Sequence, residues 1–185
     1  MKSFKHKNQK VYFKSSEEIL KKEIPKSANF IITSPPYWDL KNYGHDDEVG
    51  KSDYDEYLKR MNVIWSKCFD VSDENAILCI IVNDRRRVKQ FYPIPMDIVR
   101  TMKKWKLMDY MIWYSPNATT QNGFYKDRLY DKKSEMILLF SKNNNYDHSF
   151  NKIRVKQKYM GIDPRTHNKD KLGRGLPNII RCPAH

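Results

Sequence analysis

Two periods of apolar positions run through this chain. Between residues 54 and 69 the apolar side chains fall at 54, 57, 58, 61, 64, 65, 68 and 69, which predicts one face of a helix. Asp53, followed three positions later by Glu56, resembles a capping box at its start. Elsewhere the apolar residues come in short unbroken runs. NFIIT at 29–33 and AILCIIV at 76–82 have the length and continuity of strands covered on both faces. Residues 107–114 and 136–140 predict two more strands, with a polar loop over 115–134 between them that would let them pair as an antiparallel hairpin. A short strand over 11–14 and a helix over 16–22, ending before Pro25, precede this series. Pro93 and Pro95 introduce a helix from 96 to about 105, with Ile98, Val99, Met102 and Trp105 facing inward. Strand and helix in alternation predict an α/β sheet with parallel pairs.

The pattern changes after Lys142. Asn143 to Asn145 mark a turn, and then Lys152, Arg154, Lys156 and Lys158 alternate with Ile153, Val155, Gln157 and Tyr159. At period two this puts the basic side chains on one face of an extended segment. Residues 151–175 hold eight Lys or Arg against two Asp. The last residues contain Gly, Pro and Asn and read as irregular. The division expected is a domain part over 1–142 and a basic segment over 143–185.

Charge adds a partner to this picture. Thirty-five Lys and Arg stand against 22 Asp and Glu, a net charge of +13, and the usual reason for such an excess is a polyanion. A lysine-rich solvated surface would give the same balance, so charge suggests nucleic acid without proving it. Cys68, Cys79 and Cys182 are far apart and lack CxxC spacing, which predicts no zinc site, and Cys68 and Cys79, in apolar surroundings, fit buried thiols of a reducing compartment. The basic, polar start and the lack of any run near the ~20 apolar residues of a membrane span predict a cytoplasmic protein.

The informative element is Thr33-Ser34-Pro35-Pro36-Tyr37-Trp38, directly after the NFIIT strand. Ligands of open α/β sheets bind beyond the carboxyl ends of strands. Two prolines fix φ twice and remove two donors, leaving carbonyls as acceptors. An exocyclic amino nitrogen of cytosine or adenine is a poor nucleophile, because its lone pair is delocalised into the ring. The Ser34 oxygen and the Pro35 carbonyl could hold its two hydrogens and turn the lone pair towards a methyl donor, so that positioning supplies the catalysis. The Tyr37 ring could stack on a base flipped from the duplex. A plain Pro-Pro turn ending a strand, with Tyr37 and Trp38 as core residues, is the competing reading of the same six residues.

TSPPYW resembles the catalytic motif of amino-directed DNA methyltransferases, in the SPPY form most often associated with N4-cytosine enzymes. KVYFKSSEEILKKEIPKSANFIITSPPYW is similar to the N-terminal region of the β-type motif order, and PNATTQNGFYKDRLYDKKSEMILLFSK to a later segment that ends in an E-hydrophobic-F-S-K strand. The resemblance covers about residues 11–142. It implies a Rossmann-like methyltransferase sheet, present here as an incomplete catalytic half, with a basic C-terminal extension. It also implies Ser34, Pro35, Pro36 and Tyr37 as catalytic residues, Trp38 and Tyr43 at the target-base pocket, S-adenosylmethionine as cofactor and double-stranded DNA as substrate, in the setting of a restriction-modification system. Arg85, Arg86, Arg87, Lys126, Arg128 and the strip Lys152, Arg154, Lys156 and Lys158 would hold phosphates, although each arginine of these loops reads equally as solvated. Asp84, at a strand end, reads as a cap or turn residue. Where relatives often carry Gly-Asp after the first strand, this chain has Lys14-Ser15.

One family element is missing. The Gly-rich FxGxG turn that binds the methyl donor has no counterpart among the six glycines; only Gly173-Arg174-Gly175 has the spacing, and it follows charged residues, so it reads as a turn. The expectation is a second polypeptide carrying the cofactor half, with a truncated gene as the other explanation. N6-adenine methylation, a catalytically incomplete DNA-binding subunit, and an enzyme acting on glutamine or RNA are the competing functions. Cytosine C5 chemistry needs a thiolate nucleophile, usually a Cys after Pro, whereas here Pro183 follows Cys182 near an irregular terminus.

Overall fold

The computed structural model describes residues 3–6, 8–18, 28–118, 123–143, 154–155 and 174–182. By contact density the chain forms two compact units, residues 1–110 with 135–148, and residues 111–134 with 149–185.

The first unit opens on a hairpin of β1 (Ser3–His6) and β2 (Gln9–Tyr12), slightly earlier than the strand expected over 11–14. Of the expected helix over 16–22, only residues 16–18 lie within the described part, and they are helical. β3 (Ala28–Thr33) runs parallel to β4 (Ser72–Val82), with Ile31 opposite Leu78 and Thr33 opposite Ile80. Between them lies α1 (Tyr54–Asp70), whose N-cap Asp53 accepts from the Glu56 amide at 2.8 Å. β4 carries the buried run Ala76 to Ile80, as its apolar continuity predicts.

A hairpin the sequence did not announce follows, β5 (Arg85–Arg87) against β6 (Gln90–Tyr92). Its two-residue turn places Val88 and Lys89 at φ 48° and 65°. That left-handed pair is usually written Asn-Gly, which is why Val-Lys gave no signal. α2 (Ile94–Thr101) begins earlier and ends sooner than expected: Ile94, Pro95 and Ile98 are its buried residues, and Met102 already caps it. β7 (Lys106–Tyr114) and β8 (Ser134–Ser141) are neighbours in the sheet, and β8 pairs antiparallel with β4, Leu138 opposite Ile80. The core lies between β4, β8 and the two helices, and Tyr57, Leu78, Ile80, Ile94, Ile98, Leu138 and Phe140 are all fully buried in it. Cys68 and Cys79 are buried thiols; burial pushes the Cys68 thiol up to about 11.

The second unit takes the end of β7, the loop after it and the C-terminal residues. The loop is closed by the Ser115 amide donating to the Lys133 carbonyl at 2.7 Å. Two expectations are corrected here. The Arg174–Gly175 pair forms not a turn but a short strand, β10, antiparallel to β9 (Arg154–Val155). The terminal stretch is not irregular throughout, since β11 (Ile179–Arg181) lies parallel to β7 with Ile180 opposite Trp113. Ile179 and Ile180 supply the β-branched pair that suits a strand, and the Cys182 amide donates to the Tyr114 carbonyl to extend the pairing. Lys152, Lys156 and Lys158 lie outside the described residues. Among those described, no helix is long and apolar enough to cross a membrane, and no His, Cys, Asp or Glu cluster has the makings of a metal site.

Candidate active site

Ser34, Pro35, Pro36 and Tyr37 follow the carboxyl end of β3, where the parallel β3–β4 pair opens. Ser34, Pro35, Tyr37, Leu40, Lys41, Tyr43 and Glu135 line a cavity of about 310 Å³, the size of a small-ligand site. Four of the expected residues thus meet in one pocket: Ser34, Pro35, Tyr37 and Tyr43. Tyr43 is exposed at its rim.

Leu40, Lys41 and Glu135 also line the pocket without a role expected from the sequence, and Glu135 is bonded to the motif. The Tyr37 hydroxyl donates to Glu135 Oε2 at 2.6 Å, and the Ser34 hydroxyl stands 3.3 Å from the same phenolic oxygen. Glu135 is the second residue of β8, which brings it back beside the β3 loop from almost a hundred residues away. Its signal in the sequence was the lone acid at the head of EMILLFSK, legible only as part of a resemblance. Burial, then the hydrogen bond to the Glu135 carboxylate, push the Tyr37 phenol well above its ordinary value, so it stays a neutral hydroxyl.

The loop that carries Tyr37 is held from several sides. The buried Tyr57 hydroxyl donates to the Pro36 carbonyl at 2.8 Å, which leaves Pro35 as the proline at the cavity. Trp38 turns away from the pocket. It is 4% exposed, its Nε1 donates to the Ser52 carbonyl at 2.9 Å, and its ring meets Tyr54 at 5.1 Å and Tyr92 at 4.7 Å. The expectation that Trp38 lines the base pocket is therefore corrected: packing on the aromatic core outweighs a place at the cavity. Its φ of 52° is unusual for a bulky residue and marks a reversal that sends adjacent side chains opposite ways. Close under this reversal lies Gly50, where a Cβ would stand 2.4 Å from the Trp38 carbonyl oxygen.

Asp39 completes the fastening. Its two oxygens take Arg85 Nε at 2.8 Å and Arg87 Nε at 2.9 Å, and the Arg87 guanidinium also lies 5.1 Å over the Trp38 ring. Arg86 lies over the Phe91 ring. Two of the three arginines expected to face phosphates are thus drawn to a carboxylate of the loop after β3. In the second unit, Lys126 and Arg128 are exposed on the loop after β7, where Arg128 donates to the Phe124 carbonyl and lies over its ring. Of the basic strip, only Arg154 is described, in its backbone pairing with Gly175.

A strand-end pocket with a hydroxyl, one proline and an aromatic ring suits a flat polar ring with an amino group. Comparison with known proteins points the same way, because the model of the N6/N4 DNA methylase family matches residues 28–179. The chain belongs to this DNA methylase family. Among its curated relatives, the Type II methyltransferase M.SfiI of Streptomyces fimbriatus is 26% identical over 165 residues, covering 78% of this chain and 38% of its own length. The fold of this chain is shared with the solved PvuII DNA methyltransferase (cytosine-N4-specific), with a TM-score of 0.64 at 15% identity over 94% of this chain and 57% of that one. A DNA modification methylase of Thermus thermophilus, solved with S-adenosyl-L-methionine, gives 0.53 at 23% identity over 73% of this chain and 54% of that one. The chain spans about half the length of most of these relatives, and less of some.

Proposed function

We propose that this chain is the target-base half of an S-adenosylmethionine-dependent DNA methyltransferase that methylates the N4 amino group of cytosine. The observation that carries the reading is the single cavity holding Ser34, Pro35 and Tyr37 at the end of β3. The flipped base enters it and stacks on Tyr37. Ser34 Oγ and the Pro35 carbonyl accept the two amino hydrogens and direct the nitrogen lone pair. Trp38, buried, supports the loop, and Tyr43 borders the base.

Among the described residues, no glycines recur at the FxGxG spacing. Their glycines in left-handed turns, Gly44 and Gly123, stand singly, and Gly50 is filled by the Trp38 carbonyl. In this reading the donor half lies outside these residues, on a second polypeptide or on further length of the same one. The choice of cytosine rests on Ser34, a neutral acceptor where adenine enzymes more often present a carboxylate. Double-stranded DNA is held by Lys126, Arg128, Arg86 and the basic strip Lys152, Arg154, Lys156 and Lys158, with Arg85 and Arg87 shared between Asp39 and phosphate.

The test is Ser34→Ala, assayed with the polypeptide that completes the donor site. A lost transition-state acceptor lowers the single-turnover rate by about a hundred- to a thousand-fold, while DNA affinity stays near wild type. Ser34→Asp, which still accepts, should keep more activity than Ala. A full single-turnover rate in Ser34→Ala would remove the serine from the mechanism.

A further inference from the structure

We propose that Ser34, Tyr37 and Glu135 form a proton relay that removes the surplus proton from the methylated amino nitrogen. The inference rests on the methyltransferase reading above and assigns to the same pocket a step that reading leaves open. When the nitrogen lone pair takes the methyl group, the sulfonium C–S pair leaves with sulfur, and the nitrogen becomes cationic with one proton too many. In the reading above, that proton lies against Ser34, which lines the cavity together with Tyr37 and Glu135.

The chain's own hydroxyls reach from the amino group to a carboxylate. Ser34 Oγ, already the acceptor of an amino hydrogen, takes the proton as the N–H pair collapses onto nitrogen. Its own proton passes to the Tyr37 oxygen 3.3 Å away, and the Tyr37 proton passes to Glu135 Oε2 at 2.6 Å. Nitrogen ends neutral, both hydroxyls are restored, and Glu135 ends as the carboxylic acid until solvent reclaims the proton.

Three observations support this direction. The Tyr37–Glu135 bond is short and part-buried, with the phenol as donor, so the last transfer is already aligned. The Ser34–Tyr37 contact is long, as catalytic hydrogen bonds often are before substrate closes on them. Tyr37, pushed upward by burial and by Glu135, persists as a hydroxyl that can donate and accept together. The competing account makes Glu135 a mere anchor for the Tyr37 ring, and one exchange separates the two. In Glu135→Gln the amide oxygen still accepts from Tyr37, but it cannot take the proton.

The experiment compares wild type, Glu135→Gln, Glu135→Asp and Tyr37→Phe on a duplex whose target base is 2-aminopurine, and on the normal duplex for single-turnover methylation with the donor half present. The relay predicts that Glu135→Gln and Tyr37→Phe bind and flip the base like wild type, judged by 2-aminopurine fluorescence. Both should methylate about a hundred-fold more slowly, the lower end of general acid–base contributions. Glu135→Asp should recover part of the rate. A Glu135→Gln protein methylating at the wild-type rate would overturn the relay and leave the methyltransferase reading intact. Loss of the fluorescence signal together with the rate would also overturn it, because Glu135 would then only shape the pocket. Absence of methylation by the wild-type protein itself would sink both.

Discussion

Two loops carry the chain's candidate chemistry, and they are built on opposite plans. The loop after β3 is fastened at every step: Pro36 by Tyr57, Trp38 by Ser52 and two aromatic rings, Asp39 by two arginines. The described residues of the loop between β7 and β8 lie mostly at the surface. Its short turn Gly123–Tyr125 contains no buried residue, Tyr130 is 98% exposed, and Arg128 bonds to neighbours in its own loop. Groups that must meet a reacting atom to within a fraction of an ångström need a supporting shell. Groups that meet phosphates can adapt, because charge acts over distance and any nearby phosphate serves.

The contrast makes sharply different predictions for substitutions in the two loops. Trp38→Ala should have the largest effect, about 3–5 kcal/mol of stability in denaturant titration, as expected for an emptied aromatic core site. A Trp38→Ala protein of undiminished stability that no longer holds a flipped base would return the residue to the pocket and dissolve the distinction. Asp39→Ala should cost about 1–2 kcal/mol, because two charge-assisted bonds are lost from a partly exposed site. It should also slow single-turnover methylation while leaving DNA binding unchanged or tighter, since Arg85 and Arg87 are released. Weaker DNA binding in Asp39→Ala would show that the carboxylate presents these arginines to phosphate rather than withholding them. The smallest change in stability, within ~0.5 kcal/mol, belongs to the double exchange Lys126→Ala with Arg128→Ala. There the signal is in the salt dependence, where the slope of log K against log salt should flatten by about 0.9 for each phosphate contact removed. An unaltered slope would mean that this loop is solvated and takes no part in binding.

The elements that periodicity governs were legible from the chain alone. α1 shows its eight-position stripe, and β4 its unbroken apolar run, so both could be read without knowing any partner. Short segments whose conformation depends on a distant neighbour were not. The β5–β6 hairpin turns on Val88-Lys89 without a turn residue, and β11 becomes a strand because β7 offers it an edge. The pocket divides in the same way. Ser34, Pro35 and Tyr37 are contiguous and announce themselves as a motif, whereas Glu135 reaches them only through the pairing of β8 with β4. Trp38 misled because adjacency in a motif suggests a shared face. A left-handed φ breaks that inference, and nothing in local composition marks where one falls.

Gly50 gives the fastened loop a further property, visible only from the standpoint of heredity. It has no charge, no reactive atom and no place in the chemistry, yet its missing side chain is the space in which the Trp38 carbonyl sits. Any other residue would push on the main chain two positions after Pro36. Natural selection would treat such a site as it treats a catalytic residue, tolerating almost no change. A survey of tolerated variants would then mark Gly50 as functional, although its only contribution is to be empty.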